Sequence, residues 1–340
     1  MVFREIISIS KMYLWYIIYL AFSLLTLNPP SIFSPWTRLA MFIIILIITS
    51  SFIENSYFKT FRRFCLNFIL VICIIISIIS FLFYFSGINL MSYTADLDFT
   101  DKGGLFSGLA NHSIVLGIVS GISTCVILFL GIVRNWRWYI LLIPCIGSLL
   151  LSASRGAVGA TFAGIIVIYI LTRRRKITNT KLWLLILIAI PSLLYVNNNT
   201  NILDGIRDKN QNRNSGIFDS REDKINYRIE EFKSSPIIGI GISTISINLG
   251  DEIDYRTGRI EPGSSWFSIL SMTGIIGLIF FIQIIIRSIR NQISNKSIYS
   301  ILLIGLMSFF IINLFSEGYI FAAGSPLCFI FWLLIGNCSD

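Results

Sequence analysis

Five positions in this sequence combine a reactive side chain with a place where such a chain is costly or useful. Arg155 lies in the turn LSASRGAVGA, between the short apolar runs 137–152 and 156–172. Arginine at membrane depth is expensive and ordinarily has a partner or a task. Ser152 and Ser154 supply hydroxyls beside it, and Gly156 and Gly159 permit close backbone approach. Arg221 and Arg228 belong to SREDKINYRIEEFKS at 220–234, which reads as a helix with Ser220 as N-cap and Pro236 as its stop. At about 100° per residue, Arg221, Ile225, Arg228, Ile229 and Phe232 share one face, with Asp223, Asn226, Glu230 and Glu231 on or near the other. The helical rise sets the two arginines roughly 10 Å apart. Guanidinium groups suit phosphate because their planar fork donates two parallel hydrogen bonds. Arg155, Arg221 and Arg228 therefore outline a site for a lipid-linked phosphate. The structural alternatives are an ion pair of Arg155 with Glu317 or loop acids, and an interfacial helix whose arginines snorkel.

Two further groups are candidates for acid–base chemistry. Glu261 precedes the apolar run that opens at 264, where reduced solvation would raise a carboxyl toward the range of a usable general base. Its alternative is a solvated carboxylate at a loop end. His112, the single histidine, stands in GGLFSGLANHSIVLG at the start of another apolar run. It is either an acid–base group or a structurally satisfied span-end histidine.

The elements that must position these groups are membrane helices. Hydrophobic residues make up 55% of the 340, charged residues 13%, and mean hydropathy is +0.78. That pattern predicts an all-α polytopic integral membrane protein rather than an anchored soluble enzyme. About ten spans are expected, near 13–27, 37–53, 64–86, 109–132, 137–152, 156–172, 181–196, 264–286, 298–315 and 319–336. They divide the chain into an N-terminal bundle of about seven spans (1–196), a large polar loop carrying the amphipathic helix (197–263), and a C-terminal bundle of about three spans (264–340). Trp266 is the expected interfacial anchor of the eighth span, and GIIG at 274–277 is expected to pack helices through small residues.

Charge sets the expected orientation. With the N-terminus inside, 15 of the 27 Lys and Arg fall in cytoplasmic segments, and the short external loops hold only Arg38, Lys102 and Arg155. Short loops rich in Lys and Arg stay cytoplasmic, so both termini are expected inside and the 197–263 loop outside. The net charge of +9 is then a topology signal. Nucleic-acid binding is a poor reading, because the basic residues are dispersed and carry no groove-reading motif. The six cysteines are scattered through apolar runs without a CxxC or Cys/His cluster, so neither disulfides nor a metal site is expected.

These residues have a family likeness. LSASRGA resembles the Ser-x-Ser-Arg-Gly turn of the O-antigen ligase/polymerase family. So does the succession of Arg221 at a helix start, Phe232, SSPIIGIG, a polar loop and SWFSILSMTGIIGL, and SEGYIFAAGSPLCFIFWLLIG resembles the last span of polysaccharide polymerases of this group. The resemblance covers roughly Gly103 to Gly336. It implies a membrane glycosyltransferase that moves glycan from an undecaprenyl-diphosphate carrier to an acceptor hydroxyl at the outer face of the bacterial cytoplasmic (inner) membrane. Arg155 and Arg221 would bind the diphosphate; Arg228 is added from the helical face. Neither metal nor cofactor is required in that picture. Besides membrane lipids and the lipid-linked oligosaccharide, a repeat-unit flippase and a chain-length regulator are the partners it suggests. One departure matters: family ligases carry His-Asn about ten residues before the pair that is Thr273-Gly274 here, and this chain has Gly263-Ser264. Ser264 is kept as a supporting residue; either Glu261 or His112 takes the role of base or the acceptor is activated differently, and a polymerase is favoured over a ligase. A transporter or flippase is the reading from another class; ionisable groups at one face and the lack of an evident internal repeat count against it.

Overall fold

The computed structural model describes residues 8–90, 106–175, 219–246, 263–295 and 297–339. Helices stand at nine of the ten expected places, and the run 181–196 lies outside the described residues. In chain order they are α1 (Lys11–Leu27), α2 (Pro35–Thr49), α3 (Ser56–Phe85), α4 (Ser113–Val133), α5 (Leu142–Leu151), α6 (Arg155–Arg174), α7 (Asp219–Ser234), α8 (Ser265–Ser294), α9 (Tyr299–Ser316) and α10 (Pro326–Ser339), with α7 the expected loop helix. Short 3₁₀ segments, Ser31–Phe33 and Trp136–Leu141, precede α2 and α5. Among the described residues, six helical segments are long and apolar enough to cross a membrane: Ser31–Thr49, Ser56–Phe85, Ser113–Val133, Arg155–Arg174, Ser265–Ser294 and Tyr299–Ser316. Lys11–Leu27, Trp136–Leu151 and Pro326–Ser339 are shorter apolar helices. The protein is a multi-pass, all-α membrane protein.

Three of the boundaries that differ from the sequence reading do so for a local reason. α3 begins eight residues early because Asn55 Oδ1 accepts from the Tyr57 amide at 2.8 Å, capping a turn that also carries Lys59, Arg62 and Arg63. α2 stops at Thr49, and Ile53–Glu54 instead pairs antiparallel with Ser8–Ile9 in a two-residue ribbon. α10 begins at Pro326, not near 319. Proline suits a first helical position, and Ser325 Oγ accepts from the Leu327 amide at 3.3 Å.

The chain packs as two compact units that interleave along the sequence: Met1–Leu66, Phe218–Leu303 and Leu314–Asp340 form the first, Asn67–Ile217 and Ile304–Asn313 the second. In the second unit α4 is the centre, packed on α5 and α6 and buried over most of its length. Its small residues permit this. A Cβ on Gly121 would lie 2.6 Å from a Phe309 ring carbon, and one on Gly131 would collide with the Tyr139 ring. Ser77 Oγ donates to Ser123 Oγ at 3.0 Å, and Ser148 Oγ donates to the Ser77 carbonyl at 2.7 Å, so the lower part of α3 is tied to both α4 and α5.

In the first unit α8 is the centre, with α1, α7 and α10 against it. An aromatic cluster of Phe42, Phe281, Phe321, Phe331 and Trp332 fills its interior. Arg62 is fully buried. Its Nη1 donates to the carbonyls of Ser50 at 3.0 Å and Ile53 at 3.2 Å, closing the end of α2.

Candidate functional site

The second unit holds the Ser-Ala-Ser-Arg turn. α5 ends at Leu151 and α6 opens at Arg155, so three residues reverse the chain. Ser152 is buried, and its Oγ both donates to the Leu149 carbonyl at 2.7 Å and accepts from the Ser154 amide at 3.3 Å. These bonds hold Ala153 at φ 49°, a left-handed conformation uncommon for a residue with a Cβ. Ser154 precedes α6 without capping it through its side chain. Arg155 is therefore the first residue of α6, half-buried, where the helix dipole adds positive potential to its own charge. The arrangement suits an anion.

The turn is seated on α4 at Gly117. A Cβ there would lie 2.6 Å from Ser154 Cβ and 2.8 Å from Ser152 Oγ, so only glycine lets the two approach. Gly117 was not singled out from the sequence. Its signal was the Gly117-x-x-x-Gly121 spacing, which marks a close-packing face. His112 is the N-cap of the same helix, five residues before Gly117, or about 7.5 Å along the axis. Its Nδ1 accepts from the Ile114 amide at 3.1 Å. In that tautomer the ring proton sits on Nε2, and His112 serves the helix as a cap.

The first unit holds α7 and the segment that follows it. α7 does not rest as an isolated interfacial helix; it packs on α8. Arg228 and Glu231 are only 4% and 3% exposed, and Arg228 Nη1 meets Glu231 Oε2 at 2.8 Å. The same Nη1 reaches the Thr244 carbonyl at 3.4 Å, and Glu231 Oε1 accepts from the Ser246 amide at 2.8 Å. Glu231, expected on or near the far side of the helix, thus belongs to the buried side. An acid tolerates that position because arginine neutralises it and an amide occupies its second oxygen.

Beyond α7, the segment Pro236–Gly241 inserts into a break in α8. Gly274 has φ 62° and ψ −169°, a region essentially reserved for glycine. The amides of Ile240 and Gly241 donate to the Ser271 and Met272 carbonyls at 2.9 and 3.0 Å, and the amides of Ile275 and Ile276 donate back to Pro236 and Ile237 at 2.9 and 3.4 Å. Tyr19 donates its hydroxyl to the Thr273 carbonyl. A Cβ on Gly239 or on Gly274 would fall inside the opposing backbone, at 2.4 Å from Met272 C and 2.3 Å from the Ile237 oxygen. Gly274 is therefore a break filled by another segment, not the helix-packing glycine that GIIG suggested. Gly277 lies against Thr273 and Tyr19. SSPIIGIG and SMTGIIGL, which looked like separate motifs in sequence, are two halves of one joint.

A second joint lies at the start of α8. Ser264 is buried and donates to the Leu314 carbonyl at 3.2 Å. Ser265 Oγ donates to the Glu317 carbonyl at 2.7 Å and accepts from the Tyr319 amide at 3.1 Å. The motif SSW is thereby fastened to SEGY.

The expected site residues are thus divided. Ser152, Ser154 and Arg155 come together on α4 in the second unit, with His112 at the head of that helix. Arg228 and Ser264 belong to the first unit. Arg221 lies on the first turn of α7, its side chain outside the described residues, as is Glu261. Among the described residues no group of His, Cys, Asp and Glu could hold a metal.

A comparison with curated proteins found no match. A scan against family models matches residues 139–282 to the family described as O-antigen ligase. The matched segment contains the Ser-Ala-Ser-Arg turn, α7, the inserted Pro236–Gly241 segment and the broken part of α8; His112 falls outside it. Through this segment the chain is similar to the O-antigen ligase family, in agreement with the resemblance carried by the Ser-Ala-Ser-Arg turn.

Proposed function

We propose that the protein is a polysaccharide polymerase of the cytoplasmic membrane, joining lipid-linked repeat units at the membrane's outer face. The O-antigen ligase match over residues 139–282 supports membrane glycosyl transfer; the donor, the acceptor and the orientation are our reading. An acceptor sugar hydroxyl attacks the anomeric carbon of a glycan carried on undecaprenyl diphosphate. The anomeric C–O bond to the diphosphate breaks, configuration inverts, and undecaprenyl diphosphate leaves with the bonding pair. Arg155 and Arg221 bind the diphosphate and offset the charge that grows on it, which fixed cations do best in a poorly hydrated site. Glu261 takes the proton of the attacking hydroxyl. Neutralisation by arginine gives the reaction a route without metal.

The observation that carries this reading is Arg155 itself, half-buried at the first position of α6 within the matched segment. Arg155→Ala and Arg221→Ala are expected to abolish chain extension in cells with the protein still present in membranes; polysaccharide of normal length from either would remove the assignment. Glu261→Gln at full activity would exclude that residue as the base. Deleting the gene separates polymerase from ligase: single repeat units on the final acceptor indicate a lost polymerase, long chains stranded on the carrier a lost ligase. The ligase reading is disfavoured by Gly263-Ser264 where family ligases carry His-Asn. A broken span such as α8 is a feature of transporters, but here the break is occupied by backbone from Pro236–Gly241 rather than by ionisable groups.

A further inference from the structure

Arg228 shares α7 with Arg221, yet its surroundings differ from those of a ligand-binding arginine. It is buried, its charge is matched by Glu231 at 2.8 Å, and its Nη1 also reaches the Thr244 carbonyl. Glu231 in turn holds the Ser246 amide. From α2, Arg38 Nη1 reaches the Ser243 carbonyl of the same segment at 3.4 Å. Residues 228–246 are therefore tied together at both ends: by the ion pair to Thr244 and Ser246, and by the Pro236–Gly241 insertion to the break in α8. α7 has no freedom to roll without breaking one of these.

We infer that Arg228 and Glu231 are a positioning pair, which fixes the roll of α7 on α8 and with it the first turn of the helix, two turns earlier, to which Arg221 belongs. This rests on the proposed function above and adds to it a division of labour between two arginines of one helix. Arg221 acts on the diphosphate; Arg228 acts through Glu231 and the segment 243–246. The pair is suited to the task because both charges are desolvated: removing either leaves the other unmatched, and the helix must move to hydrate it. A buried pair replaced on both sides by apolar side chains of similar volume leaves no such stranded charge, and is often tolerated.

The test compares Arg228→Met, Glu231→Leu and the double variant Arg228→Met/Glu231→Leu. Transfer is followed in membrane vesicles against concentration of the lipid-linked glycan extracted from a strain lacking this protein, with immunoblotting for abundance. Each single variant is expected to raise the donor KM, by up to about a hundredfold as for misplacement by an ångström, at membrane abundance near that of the parent. The double variant is expected to recover most of the parent KM, with water serving the half-buried Ser246 amide. If a single variant fails to accumulate, Glu231→Gln, which keeps the shape and the amide contact but removes the charge, takes its place and is expected to raise the donor KM by a smaller factor. A double variant as inactive as Arg228→Met, at normal abundance, would show that Arg228 touches the donor itself and overturn the inference. So would full activity in Glu231→Leu or Glu231→Gln. Failure of the proposed diphosphate site looks different: Arg155→Ala and Arg221→Ala would then be active, whatever the pattern at 228 and 231.

Discussion

The turn at Ser152–Arg155 and the joint between Pro236–Gly241 and α8 both depend on glycines and on backbone held in unusual conformations, but they are built on opposite plans. The turn is local. Ser152 bonds to residues three before and two after it, and the left-handed residue Ala153 is held between them. Distant sequence enters only through Gly117, which provides a seat. The joint is non-local. Its four backbone hydrogen bonds link residues more than thirty positions apart, and each side closes a defect in the other. A local turn carries its charge, Arg155, half-exposed and at a helix start, where an anion can reach it. The joint itself carries no charge, and the charges beside it on α7, Arg228 and Glu231, are buried as a matched pair. One construction is suited to contact a substrate and the other to hold an element still.

Breaking the joint should have the larger effect. Gly274→Val places a β-branched residue in a glycine-only conformation, with a Cβ 2.3 Å from a backbone oxygen. Strain and overpacking together cost on the order of 4 kcal/mol or more, much of a typical stability. The variant is expected not to accumulate in membranes, as judged by immunoblot, and Gly239→Val should behave alike. Gly117→Val should be milder in abundance and selective in activity. The turn can shift by moving Ser154 and the first residues of α6, at about 1–3 kcal/mol, but Arg155 shifts with them. The expected result is protein present in membranes with chain extension strongly reduced. Normal extension in Gly117→Val would mean that the position of Arg155 does not matter.

The same difference governs what could be read from the sequence. LSASRGA announced its turn because everything that forms it lies within about seven residues. α7 was legible for the same reason, with acids in its first turn and a proline after its end. Glu231 was misplaced because helical periodicity ranks residues by hydropathy, and an acid buried against a neighbouring arginine violates that ranking. The break at Gly274 was hidden in an apolar run that hydropathy reads as one continuous helix. Only pairing with Pro236–Gly241 reveals it, and nothing in a single sequence states that pairing. The bonds of Ser264 and Ser265 to Leu314 and Glu317 depend on two spans meeting, which no local pattern announces. The late start of α10 was the exception, since Pro326 and Ser325 were visible and outweighed by the apolar run before them.

A smaller change sharpens the contrast. Tyr19→Phe removes the hydroxyl that donates to the Thr273 carbonyl at the break, while leaving the Tyr19 ring and its contact with Phe280 in shape. A lost hydrogen bond to a partly buried carbonyl costs about 1 kcal/mol. The purified variant should unfold a few degrees lower with chain extension retained, because the four backbone bonds of the joint persist. A large loss of activity with unchanged thermal stability would assign Tyr19 a role beyond the joint.

The smallest effect is expected at His112, and it separates two readings of one side chain. If His112 acts as the helix cap seen here, with Nδ1 accepting from the Ile114 amide, asparagine should replace it, since Asn is among the best N-cap residues. Asparagine cannot exchange protons as imidazole does, so His112→Asn would eliminate any acid–base role outright. His112→Ala removes the cap as well, at a cost of about 1 kcal/mol. The expected order in thermal stability is parent and His112→Asn together, with His112→Ala slightly below, and chain extension persists in all three. Loss of chain extension in His112→Asn at parental stability would instead make the imidazole a participant in the reaction. The proton that Glu261 is proposed to take would then belong to a group at the head of α4, on the same helix that seats the Arg155 turn.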